Sequence, residues 1–165
     1  NAVTQTVVNL GRSIPFIILM IALIPFTRLL LGSAFGVTAA IVPLTVAAIP
    51  FYARIVEISL REVNEGLVEA GHSLGATRWQ LVSKVIIPEA VPGLIRGFTT
   101  TVVSIVNYSA IVGAIGGGGL GDVAIRYGHQ RYSVIHIVAV IIVLVAIVQI
   151  VQVVGARLAN RMSHR

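Results

Sequence analysis

Apolar residues fall into four runs separated by polar segments. The first extends from Ile14 to Leu31, with Pro15 near its start and Pro25 and Arg28 late. The second, Val37 to Leu60, carries no charge as far as Ala53 and contains Pro43 and Pro50. The third begins near Pro92 and is uncharged from Gly97 to Ile115. In the fourth, Tyr132 to Ala156, only His136, Gln149 and Gln152 relieve a sequence of Val, Ile, Leu and Ala. A spanning helix needs about 20 mostly apolar residues. None of these runs alternates with the period of two that a barrel strand requires, and lipid admits only helices and closed barrels. The pattern therefore predicts an all-α membrane protein with four spanning helices, at about 14–31, 37–60, 92–115 and 132–156. Pro25, Pro43 and Pro50 each delete a backbone hydrogen bond and predict kinks. Those kinks are either irregularities of a packed bundle or the walls of a conduit.

Composition narrows the class. Of 165 residues, 56% are apolar and 11% are charged, against roughly 25% charged in soluble domains. Mean hydropathy is +0.96. A soluble fold of this size cannot hide so much apolar surface, which excludes a soluble enzyme, a disordered tail and a nucleic-acid-binding domain. Lipid is the expected surrounding, and no nucleic-acid partner is expected. The chain has no cysteine, hence no disulfide, thiolate metal site or Cys nucleophile. His72, His129, His136 and His164 have no metal-ligand spacing. His136, inside the fourth run, is expected to hydrogen-bond a neighbouring helix rather than to relay protons. Apart from Glu57 near one end, the spans hold no Asp or Glu, which argues against an intramembrane enzyme.

Charge position supplies orientation. Alternation of the four runs puts Arg12, Arg54, Arg61, Arg78, Lys84, Arg96, Arg157, Arg161 and Arg165 on one side. Only Arg28, Arg126 and Arg131 fall on the other. Cytoplasmic loops carry the excess of Lys and Arg. The C-terminus and the loop at about 61–89 are thus predicted inside, and the glycine-rich 113–131 segment outside. On that outer face, Arg28, Arg126 and Arg131 either snorkel at the interface or dock a partner.

Five of the six acidic residues, Glu57, Glu62, Glu65, Glu69 and Glu89, lie in or beside the inner loop. With five basic residues it is nearly neutral, the profile of a folded, water-facing element. Leu60, Val63, Leu67, Ala70 and Leu74 recur at helical spacing. Asn64 is a candidate N-cap and Gly75 a candidate stop. Thr77 and Gln80 fit a capping box for a second helix, which is expected to end before Pro88. The apolar faces of the two helices must bury against the membrane domain or a partner.

At these residues a resemblance becomes specific. Glu69-Ala70-Gly71, then Gly75, then nine residues and Val85-Ile86-Ile87-Pro88 resemble the EAA loop of bacterial ABC importer permeases. Gly71, Val85 and Ile87 depart from that pattern by small or aliphatic replacements, and the spacing is intact. Flanking segments resemble the methionine-uptake permeases: Ile14 to Leu19, Ile24 to Arg28, Ala40 to Thr45, Asn107 to Ala110 and Tyr127-Gly128. Permeases for phosphonates, osmoprotectants and other amino acids share the loop but match these flanks less well.

The resemblance implies a type I ABC importer-like bundle forming one permease domain over residues 1–165, lacking an N-terminal helix that such permeases carry ahead of Ile14. It implies a homodimer, a dimer of ABC ATPase subunits that binds ATP and Mg²⁺, and a periplasmic substrate-binding lipoprotein. No cofactor is expected in this subunit. Glu69, Ala70, Gly71, Gly75, Arg78, Trp79, Lys84 and Pro88 are the expected coupling residues. Glu69 would anchor the loop by accepting hydrogen bonds or pairing with a basic residue, or is a solvated carboxylate. Trp79, the only tryptophan, contacts the ATPase or anchors at headgroup level. Asn107, Tyr108 and Ser109 form a polar cluster that is either helix–helix glue or the lining of a substrate path beside a hydrophobic gate at Ile111. Gly116 to Gly121 matches a loose G-x-G-x-x-G without the context of a nucleotide loop. It is expected to be flexible or close-packed backbone at an outer gate. A passive channel is the remaining alternative, and it needs no EAA loop.

Overall fold

The computed structural model describes residues 14–163. Arg12, His164 and Arg165, three of the residues used for orientation and metal spacing, lie outside the described residues. The elements in order are α1 (Phe16–Ala22), α2 (Ile24–Leu31), α3 (Val37–Arg61), α4 (Glu65–Ser73), α5 (Arg78–Leu81), α6 (Ile87–Val112), α7 (Gly119–Val123) and α8 (Val134–Met162). Single π-turns occupy Val82–Ile86, Gly113–Gly117 and Ala124–His129. There is no strand among the described residues.

Among the described residues, two helices, α3 and α8, are long and apolar enough to cross a membrane by length and composition. The first apolar run is not one helix but two short ones. Pro25 sits in the first turn of α2, where its missing N–H is tolerated. Further back its ring would clash with the carbonyl four residues earlier, so the chain breaks at Leu23. Gly32 then closes α2 with φ +75°. Pro43 and Pro50, by contrast, stay inside one continuous α3. Helix α6 begins five residues before the expected start and carries Pro88 and Pro92 in its first two turns.

Helix α6 is the centre of the bundle, packed on α3 on one side and α8 on the other. Small residues set both contacts. A Cβ at Gly97 would overlap Ile55 Cγ2 of α3, and one at Gly155 of α8 would overlap Thr99 Oγ1. Close backbone approach of this kind substitutes, in lipid, for a hydrophobic driving force between helices. The hydroxyls of Thr99, Thr100, Thr101 and Ser104 donate to carbonyls one turn back at 2.8–3.0 Å, which satisfies them without water. Buried Phe16, Met20 and Val112 join α1 and α6, with Leu44 and Tyr108 packed around them. Most of α8 remains exposed, including Ile135, Ile142 and Ile150, as a lipid-facing helix requires. Gly97→Leu and Gly155→Leu should each lower stability by about 1–3 kcal/mol through overpacking. Unfolding midpoints in detergent micelles check this.

One cavity is lined by Ser59, Glu62, Glu89, Arg96 and Ser163. The ends of α3 and α8 and the start of α6 therefore meet at one end of the bundle, which also carries the 65–81 hairpin. Glu57, in the last turns of α3, accepts from Arg54 at 2.7 Å and from Arg61 at 2.8 Å.

Candidate functional site

The 65–81 hairpin is built almost entirely from local capping chemistry. Asn64 Oδ1 accepts the N–H of Gly66 at 2.8 Å and starts α4. At its other end, Gly75 donates to His72 O at 2.9 Å and Ala76 donates to Gly71 O at 3.1 Å. These two bonds make a Schellman motif, and Gly75 has the left-handed φ of +76° that it demands. Two residues on, Thr77 Oγ1 accepts the N–H of Gln80 at 3.3 Å, while Gln80 Oε1 accepts the N–H of Thr77 at 2.9 Å. That is the reciprocal capping box read from the sequence. Gly75→Val should cost at least about 1–2 kcal/mol of local stability, because a side chain there opposes the left-handed backbone. Faster amide exchange across 70–80 is the expected readout.

Gly71 decides how closely the two helices meet. A Cβ there would lie 3.1 Å from Leu81 Cδ1, and Leu81 is only 4% exposed. Leu81 thus fills the notch that Gly71 leaves, and the hairpin closes on its own small contact. No other residue of the hairpin is buried, and only Val68, Gly71 and Ala76 are half-buried. No residue of α4 is buried, Leu74 is 88% exposed and Trp79 75%. The apolar face expected to bury along Leu67, Ala70 and Leu74 is therefore open, and only Val63, ahead of the helix, is buried.

Charged groups surround this apolar apex. Glu69, Arg78 and Lys84 are exposed. The Glu69 carboxylate makes no hydrogen bond or ion pair with the described residues. His72, three residues on in the same helix, makes no ion pair with it. Its backbone carbonyl accepts from Ser73 Oγ at 3.0 Å. The second helix does not stop before Pro88, contrary to expectation. It passes through the π-turn Val82–Ile86, where Ile87 N–H reaches Val82 O, straight into α6. The wider turn gives the proline ring room, and Pro88 falls in the first turn of α6, so the residue before it is not forced out of helix.

At the far end of α6 the predicted polar cluster divides. Asn107 and Ile111, four residues apart, are both exposed and share a face. Tyr108 turns instead towards α1 and stacks on Phe16, ring centroids 4.5 Å apart and 11° from parallel. Ser109 Oγ donates to Val106 O of its own helix at 2.8 Å. Ser109 also lines an apolar cavity of about 360 Å³ with Ile41, Leu44, Leu144 and the glycine segment 117–121.

That segment is close-packed at Gly117 and Gly121 and open at Gly116 and Gly119. A Cβ at Gly121 would overlap the carbonyl oxygen of Ala110, and one at Gly113 would lie 2.5 Å from Gly118 O. Beyond it, Arg126 pairs with Asp122 at 2.7 Å, and Arg131 lies 4.7 Å over the Tyr127 ring. His136 does not bond to a neighbouring helix: its Nδ1 lies 2.7 Å from Ser133 Oγ at the start of its own helix. Its ring stacks near Tyr127, with centroids 5.7 Å apart.

Phe16 and Leu74 gave no functional signal in the sequence. Phe16 lies in a run that is apolar as far as Phe26, and Leu74 reads only as part of a face that buries against the membrane domain or a partner.

Known proteins of the same build are readily found. The family model described as "Binding-protein-dependent transport system inner membrane component" matches residues 1–164. The probable D-methionine transport system permease protein MetI of Vibrio cholerae is 52% identical over 165 residues, covering all of this chain and 73% of the relative. The methionine import system permease protein MetP of Bacillus subtilis is 49% identical over 130 residues, 79% of this chain and 59% of the relative. Among solved structures, an inward-facing conformation of the MetNI methionine ABC transporter superposes with a TM-score of 0.89 at 47% identity. It covers 96% of this chain and 73% of the other. An amino acid ABC transporter solved with histidines shares the fold, with a TM-score of 0.73 at 23% identity.

Proposed function

The chain belongs to the binding-protein-dependent transport system inner membrane components, and from that premise we propose that it is the permease subunit of an ATP-driven importer of methionine. The observation that carries the reading is the uncovered hairpin. Leu74 and Trp79 stand exposed at the tip of a hairpin ringed by Glu69, Arg78 and Lys84, and a soluble partner is the surface that covers an apolar apex with a charged rim. Helix-in-groove docking of such an apex is an established recognition mode. The occupant of the proposed role is an ABC ATPase dimer, which binds ATP and Mg²⁺ while this subunit hydrolyses nothing.

Glu69, Arg78 and Lys84 then supply charged contacts around the Leu74–Trp79 apex, and Gly71 and Gly75 fix its shape. Ala70 and Pro88 complete the coupling set. The bundle end that bears the hairpin, with Arg96 and Arg161 beside it, is cytoplasmic in this account, as is the C-terminus. Helices α3, α6 and α8 and the broken α1–α2 pair cross the inner membrane. Two copies of the permease line one path, with Asn107 and Ile111 on its open face and Ser109 beside it, and Tyr108 bracing the wall against Phe16. A periplasmic lipoprotein delivers methionine to the outer end. The names of the relatives at 49% and 52% identity support the substrate.

Ile111→Ala and Asn107→Ala test the path. Each should change the rate or the selectivity of methionine uptake in proteoliposomes by about tenfold, the size of one lost contact of about 1.4 kcal/mol. Wild-type rates and selectivity in both would remove these residues from the path.

A further inference from the structure

The end of the bundle that carries the hairpin holds a cleft of about 210 Å³ between the end of α3 and the start of α6, with Ser163, just past α8, also in its wall. The Glu62 and Glu89 carboxylates and the Arg96 guanidinium line it. These opposite charges share one small space, yet none of the three joins an ion pair among the described residues. Glu57, just ahead in α3, takes both Arg54 and Arg61.

Ser59 makes the cleft more than a set of surface charges. It is 7% exposed, it stands in the cleft wall, and its hydroxyl makes no hydrogen bond with the described residues. A helical serine or threonine often donates to the carbonyl one turn back, as buried Thr101 does to Gly97 at 2.8 Å. Gly93 keeps the Ser59 hydroxyl uncovered, since a Cβ there would lie 3.0 Å from Ser59 Oγ. A buried hydroxyl left unpaired is costly, and a polar group seated in the cleft satisfies it.

The cleft continues into a compartment of about 510 Å³, with which it shares Glu89, Pro92 and Ser163. That compartment adds apolar walls from Ile87, Val91 and Met162 and a further cation, Arg161. Apolar walls with a few convergent polar groups are the usual form of a small-molecule site. Two carboxylates and two guanidiniums leave the whole neutral. A lone anion meets Glu62 and Glu89, and a lone cation meets Arg96 and Arg161. A zwitterion offers each sign its opposite.

We propose that this cleft binds a small zwitterion, its ammonium on Glu62 and Glu89, its anionic group on Arg96 and Ser59, and its apolar part along Ile87, Val91 and Met162. A free α-amino acid with an apolar side chain and the headgroup of an ethanolamine phospholipid share this chemistry. The site lies at the opposite end of α6 from Asn107 and Ile111, and it does not depend on the importer reading.

Amide chemical shifts of Ser59 and Gly93, in the full isotope-labelled chain in phosphatidylglycerol nanodiscs, report on the cleft. One arm adds methionine at up to about 10 mM, a weak-binding range. The other replaces part of the lipid with phosphatidylethanolamine. A saturable shift with methionine assigns the site to a free amino acid, and one with phosphatidylethanolamine to the lipid headgroup. In the responding arm, Arg96→Gln and Glu62→Gln should each weaken the response about tenfold, the size of one lost hydrogen bond to a charged group, and Ser59→Ala about threefold. In the methionine arm, 3-(methylthio)propylamine and 4-(methylthio)butyrate each carry one of the two charges. Arg96→Gln should not weaken the amine, nor Glu62→Gln the carboxylate, a split that mere distortion of the cleft would not produce. No shift in either arm, or shifts indifferent to all three substitutions, overturns the site and leaves Ser59 to water alone.

Discussion

Combining Leu74→Asp with Trp79→Ala should abolish stable capture of the ATPase while leaving the permease folded. Both side chains stand in solvent, 88% and 75% exposed, so neither substitution opens a cavity. A central tryptophan truncated in an interface costs about 2–4 kcal/mol, roughly 30- to 1,000-fold in affinity. An aspartate in the apolar centre adds the desolvation of an unpaired charge. Pull-down of the ATPase by the double variant, beside an unchanged unfolding midpoint, is the check. If the variant binds the ATPase as well as the parent chain does, the apex is not the contact.

The second large effect is expected at the glycine segment. Gly121→Ala should destabilise the far end of α6 by at least about 3 kcal/mol. Its methyl would collide with the Ala110 carbonyl oxygen and lie 2.9 Å from Ala114 N. Both are backbone atoms, with no rotamer to yield, and overpacked sites of this kind cost about 1–3 kcal/mol even where side chains can move. Gly116→Ala is the control. It meets nothing within 4 Å and loses only what a left-handed φ of +99° imposes, about 1–2 kcal/mol. Thermal unfolding in detergent should rank the two in that order. Equal midpoints would mean that the α6–α7 contact is loose.

Local chemistry was legible in the sequence and long-range packing was not. Asn64, Gly75 and the Thr77–Gln80 pair act through bonds that span two to five residues, and each cap forms as its residue type predicts. Pro88 departs from the expectation that a proline ends a helix. The π-turn that accommodates it has no sequence signature of its own. In the first run the interruption expected at Pro25 is there, but as a break into two helices rather than a kink in one. In the polar cluster, composition brought Asn107, Tyr108 and Ser109 together, whereas 100° of rotation per residue sends them in three directions. Only the arrival of Phe16 from α1 decides that Tyr108 is packed. Glu69 is the converse case. In the importer account its partner belongs to another chain, and no intrachain pattern encodes it.

The central claim is that this chain carries methionine inward at the expense of ATP hydrolysed by a partner. Proteoliposomes containing the permease, its ATPase and its binding protein, with ATP on the ATPase side, test it most directly. The account predicts uptake of radiolabelled methionine that requires ATP, is competed by unlabelled methionine and is lost in the Leu74→Asp, Trp79→Ala variant. Uptake that proceeds without ATP, or an assembled complex that hydrolyses ATP and moves no methionine, would contradict it.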